Sequence, residues 1–156
     1  MVITGGEPIL YDLAPLTTAL KNEGRRVHLE TSGIAPLRGQ IDWLTLSPKP
    51  DGVPPLPEIV ALADEIKIIV HHKKDILTGL NSVRGHREDA VIWLHPEWSK
   101  ARDRDADVLN AITETVKADP RVRAGYQMHK LYRADEQDSR SDRTLVPLGG
   151  NPSLGY

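Results

Sequence analysis

The sequence predicts an α/β fold built on parallel strands, either an open sheet or a segment of a (βα) barrel. Short apolar strands alternate along the chain with helical stretches, and that rhythm calls for parallel strands joined by crossovers. The same strands carry polar residues near their C-terminal ends, where parallel α/β folds place ligands. A length of 156 residues fits one domain able to bury a core.

Taken in order, Val2 to Thr4 form a short strand, Gly5 and Gly6 a tight turn, and Pro8 the first position of a helix predicted over Ile9 to Asn22. Leu10, Leu13, Leu16, Thr17 and Leu20 recur there at helical spacing, with Gly24 as a left-handed stop. Arg25 to Glu30 alternates as a strand and breaks at Thr31-Ser32-Gly33. Ile41 to Leu46 is the next strand, ending in Ser47-Pro48-Lys49-Pro50 before a proline-rich connection and a short helix reaching Asp64. Then follow a strand over Glu65 to Val70, a helix over Asp75 to Ser82 and a strand over Ala90 to Leu94. The strongest amphipathic helix spans Asp105 to Ala118, and a last strand spans Arg121 to Met128. Residues 134–156 turn polar and rich in Pro and Gly, and are expected to form a C-terminal arm beside a domain of residues 1–133.

Composition narrows the function. A net charge of -2 and a pI near 6.3 give no case for a nucleic-acid surface. No apolar run approaches the ~20 residues of a membrane span and no signal peptide opens the chain, so a cytoplasmic setting is expected. The chain contains no Cys, hence no disulfide, thiol nucleophile or thiolate-held iron-sulfur cluster of its own. Without Phe, the core is expected to draw on Leu, Ile, Val, Ala and the Trp residues.

Strand parity groups the polar residues. His28 and Glu30 oppose Val27 and Leu29, while Glu65, Lys67, Ile69 and His71 oppose Ile66, Ile68 and Val70. Arg123, Gly125, Gln127 and His129 form the same pattern in the last strand, so one face of the sheet is polar enough to line a site. Singly, these residues could terminate strands, pair with neighbours (Lys67 with Glu65) or satisfy backbone groups. His71 and His72 point to opposite faces with no third ligand, so no metal site is expected. His95-Pro96-Glu97-Trp98 reads as a turn with an aromatic anchor, and Lys73-Lys74 as a solvated helix start. Glu7 is the misfit: helices are usually capped by Ser, Thr, Asp or Asn, and a carboxylate beside two glycines could instead receive a ligand ammonium.

Ile3-Thr4-Gly5-Gly6-Glu7-Pro8, Leu29-Glu30-Thr31-Ser32-Gly33, Leu46-Ser47-Pro48-Lys49, Glu65-Ile66-Lys67 and Gln127-Met128-His129-Lys130 together resemble the radical S-adenosylmethionine enzymes. Within that superfamily the sequence is most similar to the 7-carboxy-7-deazaguanine synthases of the queuosine pathway. The resemblance implies a partial (βα) barrel lacking its first strand and helix. It further implies that Thr4, Gly5, Gly6 and Glu7 hold the amino group of S-adenosylmethionine, and that Glu30, Thr31, Ser32, Ser47 and Lys49 meet its ribose or carboxylate. Gln127, His129 and Lys67 would meet the substrate. In that family a 4Fe-4S cluster reduces S-adenosylmethionine to a 5′-deoxyadenosyl radical. With Mg²⁺, this converts 6-carboxy-5,6,7,8-tetrahydropterin to 7-carboxy-7-deazaguanine.

The family's cluster-binding cysteine loop and Mg²⁺ ligand have no counterpart in this sequence. The chain is therefore expected to be the C-terminal portion of such a synthase and inactive by itself. An alternative is a non-catalytic adenosyl- or purine-binding or interaction module of the same descent. The exposed edge of the first strand predicts self-association, as a homodimer.

Overall fold

The computed structural model describes residues 1–132, so the arm expected over 134–156 lies outside the described residues. The strands are β1 (Val2–Ile3), β2 (His28–Thr31), β3 (Trp43–Leu46), β4 (Glu65–Val70), β5 (Val91–Pro96) and β6 (Val122–Ala124). They form one sheet in the order β1-β2-β3-β4-β5-β6, every neighbouring pair parallel. Sequential order with one direction of winding is the arrangement of a barrel segment, so the predicted α/β class and partial-barrel form agree with the sheet.

The helices are α1 (Ala14–Asn22), α2 (Pro57–Leu62), α3 (Lys73–Ser82), α4 (Trp98–Arg102), α5 (Ala106–Ala118) and α6 (Met128–Leu131). Among the described residues no helix is long and apolar enough to cross a membrane.

Alternation decides which face is covered. Leu29, Leu44, Leu46, Ile66, Ile68, Val70, Ile92, Leu94 and Val122 point to one side and pack against Ile59, Val60, Ile76, Val108 and Ile112 of α2, α3 and α5. The opposite face carries the other parity. Glu30 lies beside Thr45, Thr45 beside Glu65, Lys67 beside Trp93, and Trp93 beside Arg123. The Trp residues consequently stand outside the core, against expectation. Trp43 and Trp93 belong to the parity facing away from the helices, and Trp98 stacks edge-on against Tyr126.

Other departures from the sequence reading have local causes. The first predicted helix is two elements, a 3₁₀ turn over Pro8–Leu10 and then α1. Pro15 has no N–H to give and sits at the helix start, where Asp12 Oδ1 accepts the Ala14 N–H at 3.0 Å. Leu16 is thereby turned to solvent, and Thr17 takes the buried position, its hydroxyl accepting the Gln40 N–H at 3.1 Å. The helix predicted from Asp75 begins at Lys73, because Asp75 reaches back to the His72 N–H at 2.7 Å. Strand β5 continues to Pro96 since its last residues still pair with Ile69 and Val70. After it, Glu97 caps α4 by accepting the Ser99 N–H at 2.8 Å, where only a turn was expected. The last strand stops at Ala124 instead of Met128, and the chain then folds into α6.

Candidate functional site

The strand ends enclose a cavity of about 180 Å³. Thr4, Gly6 and Glu7 reach it from the turn after β1; Glu30, Thr31 and Ser32 from the end of β2; Ser47 and Lys49 from the turn after β3. Lys67 and Ile69 come from β4, and Gln127 from the segment after β6. Five chain segments with no common sequence neighbourhood thus meet at one point. Parallel pairing brings them there, because every strand delivers its following turn to the same end of the sheet.

The turn after β1 depends on its glycines. Gly5 at φ 90° and Gly6 at φ 54° occupy the left-handed region that side chains other than glycine disfavour. Glu7 follows and is 3% exposed. Its Oε2 accepts the Ser32 N–H at 2.7 Å and the Ser32 hydroxyl, and its Oε1 accepts the Thr31 hydroxyl and the Ile9 N–H, the latter at 3.3 Å. The carboxylate therefore caps the 3₁₀ turn and ties it to the end of β2. Both readings of Glu7 left open by the sequence bear on this position, and the capping one is realised in the geometry. Thr31 Oγ1 also accepts the Gly33 N–H at 3.0 Å, extending the network through the turn.

Across the cavity floor, Lys67 Nζ donates to Glu30 Oε2 at 3.0 Å. This bridges β2 and β4 over β3, in place of the pairing with Glu65 that sequence proximity offered. The Ser47 hydroxyl donates to the Lys67 carbonyl at 3.2 Å. Below, His28 Nε2 and Thr45 Oγ1 lie 2.7 Å apart. Lys49 is exposed as a residue, yet protein crowds its ammonium. Burial first and repulsion from Lys67 second hold its pKa below the usual lysine value, while Glu7 and Glu30 act in the other direction.

Of the residues singled out in the sequence, Gly5 borders the cavity only through its neighbours, and the side chain of His129 lies outside what the structure describes. Gln127 lines the cavity, although it precedes a helix instead of ending a strand. His71 does not reach it: β4 ends one residue earlier, and Asp75 holds the His71 N–H at 2.9 Å. Ile69 was not singled out as a site residue, though it shares its parity with Lys67.

Two further features lie apart from this cavity. A wider cleft of about 960 Å³ runs between α3 and α5, its apolar surface supplied by Ile76, Leu77, Leu80, Val108 and Ala111. Its polar and charged side chains, among them His71, His72, Lys100, Asp105 and Glu114, stand around mainly apolar walls, whereas the smaller cavity collects carboxylates, hydroxyls, an amide and two ammonium groups at the strand ends. Among the described residues no three His, Asp or Glu side chains gather in a metal-binding group.

A parallel sheet wound in sequence, with a polar cavity at its strand ends, defines an α/β protein of the open-barrel class. No family model matches the sequence. The chain is 47% identical over 98 residues to a 7-carboxy-7-deazaguanine synthase of Synechocystis, covering 63% of this chain and 47% of that one. It is 36% identical over 130 residues to a 7-carboxy-7-deazaguanine synthase of Flavobacterium psychrophilum, covering 83% of this chain and 60% of that one. The crystal structure of QueE from Escherichia coli superposes with a TM-score of 0.62 at 32% identity, over 81% of this chain and 55% of that one. The chain is thus a relative of the 7-carboxy-7-deazaguanine synthases, of the radical S-adenosylmethionine type. It spans about half the length of the relatives it matches.

Proposed function

We propose that this chain is the portion of a 7-carboxy-7-deazaguanine synthase that holds the amino-acid and ribose groups of S-adenosylmethionine and faces the pterin substrate. In this reading it is the C-terminal part of the enzyme that converts 6-carboxy-5,6,7,8-tetrahydropterin to 7-carboxy-7-deazaguanine. The observation that carries it is the convergence of Thr4, Gly6, Glu30, Ser47, Lys49, Lys67 and Gln127 on one cavity at the strand ends.

The donor set suits S-adenosylmethionine, which offers an ammonium, a carboxylate and ribose hydroxyls to opposite charges and hydroxyl groups. When bound, S-adenosylmethionine supplies the radical chemistry of the ring contraction. Lys49 neutralises the ligand carboxylate, a contact favoured because its ammonium is partly desolvated and returns toward its ordinary pKa beside an anion. Glu30 has one oxygen on Lys67 and leaves the other for a ribose hydroxyl. Gln127 presents an amide to the pterin, beside Lys67. A 4Fe-4S cluster does not fit the residues present, since the chain has no Cys, and we assign this chain no electron-transfer step.

The lack of any thiolate in the chain favours a second reading of the same cavity, a non-catalytic adenosyl- or purine-binding module. Calorimetric titration with S-adenosylhomocysteine and, separately, with 7-carboxy-7-deazaguanine tests both. Saturable binding of each supports the synthase portion; binding of S-adenosylhomocysteine alone supports the module. Binding of neither by folded protein overturns both. A cytoplasmic setting and a homodimeric state belong to the same proposal.

A further inference from the structure

We infer that Glu7 is a positioning residue of the cavity and not the acceptor of the ligand's ammonium; the inference rests on the cavity being a binding site for an adenosyl amino acid. An ionised carboxylate offers about four lone-pair directions. Here four donors meet them: the Ile9 N–H, the Thr31 hydroxyl, the Ser32 N–H and the Ser32 hydroxyl. A ligand ammonium could bond to this carboxylate only by displacing one of them. Burial adds to the obstacle, because only 3% of the residue meets solvent, and a buried polar group left without its partner is costly.

What the four bonds accomplish is alignment. Glu7 is the fourth residue after β1, and Thr31 ends β2 with Ser32 following it, so one side chain fixes both walls of the cavity relative to each other. The bond from Thr31 to Glu7 leaves the Thr31 oxygen to accept the Gly33 N–H, and the Gly33 carbonyl accepts the Leu56 N–H at 2.8 Å. The network therefore runs from β1 through the β2 turn to the start of α2. Sequence alone favoured Glu7 as the ammonium partner because a carboxylate beside glycines resembles a ligand contact; the burial of its oxygens among protein donors reverses that role.

The test compares two ligands. S-adenosylhomocysteine carries the amino-acid group, and 5′-methylthioadenosine lacks it. A positioning role requires Glu7→Gln to weaken both by the same factor, about tenfold or more, since the amide turns donors toward donors. Thr31→Val and Ser32→Ala, which remove bonds to Glu7, should weaken both ligands together and add less than independently to Glu7→Gln. Selective loss of S-adenosylhomocysteine in Glu7→Gln, with 5′-methylthioadenosine unchanged, overturns the inference. So does a lower melting temperature with unchanged affinities well below it. If Glu7→Gln does not fold, the Thr31→Val and Ser32→Ala variants carry the same comparison. If the wild-type protein binds neither ligand, the site reading fails by itself. Amide exchange at Ser32 then still decides whether Glu7 aligns the turn: faster exchange in Glu7→Gln supports the alignment, and unchanged exchange refutes it.

Discussion

Gly33 closes the turn that follows β2, and replacing it with Ala tests how tightly that turn is set. Its φ of 79° lies in the left-handed region, where a side chain costs about 1–2 kcal/mol. A Cβ there would stand 2.6 Å from Leu46 Cδ1, 3.0 Å from Pro55 Cβ and 3.2 Å from Ile59 Cγ2. Leu46 is fully buried and Ile59 nearly so, so neither yields freely, and overpacking of this kind adds about 1–3 kcal/mol. Gly33→Ala should therefore destabilise by about 2–5 kcal/mol. Gly24→Ala is the internal control. Gly24 has a similar φ of 68° with nothing within 4 Å of an added Cβ, so it should lose only the backbone part, about 1–2 kcal/mol. Urea denaturation of the wild type and both variants measures the two costs, with unchanged m-values licensing the comparison. Equal losses for the two variants would refute the close packing of this turn on β3 and α2.

Lys67→Met should separate binding from stability. The Lys67–Glu30 pair keeps substantial solvent contact, so its loss should cost under about 1 kcal/mol, while affinity for S-adenosylhomocysteine falls about tenfold, as measured by calorimetry. Unchanged affinity would remove the pair from the site. For Lys49 the pH sign follows from its lowered pKa. Between that value and 10.5 the unfolded chain holds the proton that the folded chain has released, so stability rises with pH through this window. Lys49→Met should abolish that rise in denaturation midpoints taken from neutral to alkaline pH, and a rise persisting in the variant would assign it elsewhere. Finally, β1 pairs only with β2 among the described residues, so its outer edge invites association. Light scattering should show a dimer that grows with concentration, and a monomer throughout would contradict it.

Much of the fold was legible because half-buried strands write their burial into sequence with a period of two. Glu65 to Val70 is the clearest case: its alternation gave both the boundaries and the polar face that Lys67 and Ile69 present to the cavity. The cavity could be anticipated as a set because parallel strands deliver their turns to one end, so separate turns imply one place. What escaped were effects of single side chains on the backbone. Pro15 splits the first helix, which an apolar repeat spanning it conceals. The Arg121 to Met128 alternation outlasts the strand, since pairing with β5 stops at Ala124 and periodicity cannot show where a partner ends. The bonds of Glu7 to Thr31 and Ser32 escaped too, because these partners lie more than twenty residues away in sequence. The role of Glu7 depends on which donors the fold brings to it.

We propose that the turns after β1, β2 and β3 form one adenosyl-ligand site. Amide chemical-shift mapping of the isotope-labelled chain during titration with S-adenosylhomocysteine tests it most directly. The expected result is saturable shifts confined to Gly6, Ser32, Lys49 and their neighbours around the strand-end cavity. Shifts centred instead on Leu77, Leu80 and Ala111 in the cleft between α3 and α5, or no shifts at saturating ligand, would contradict it.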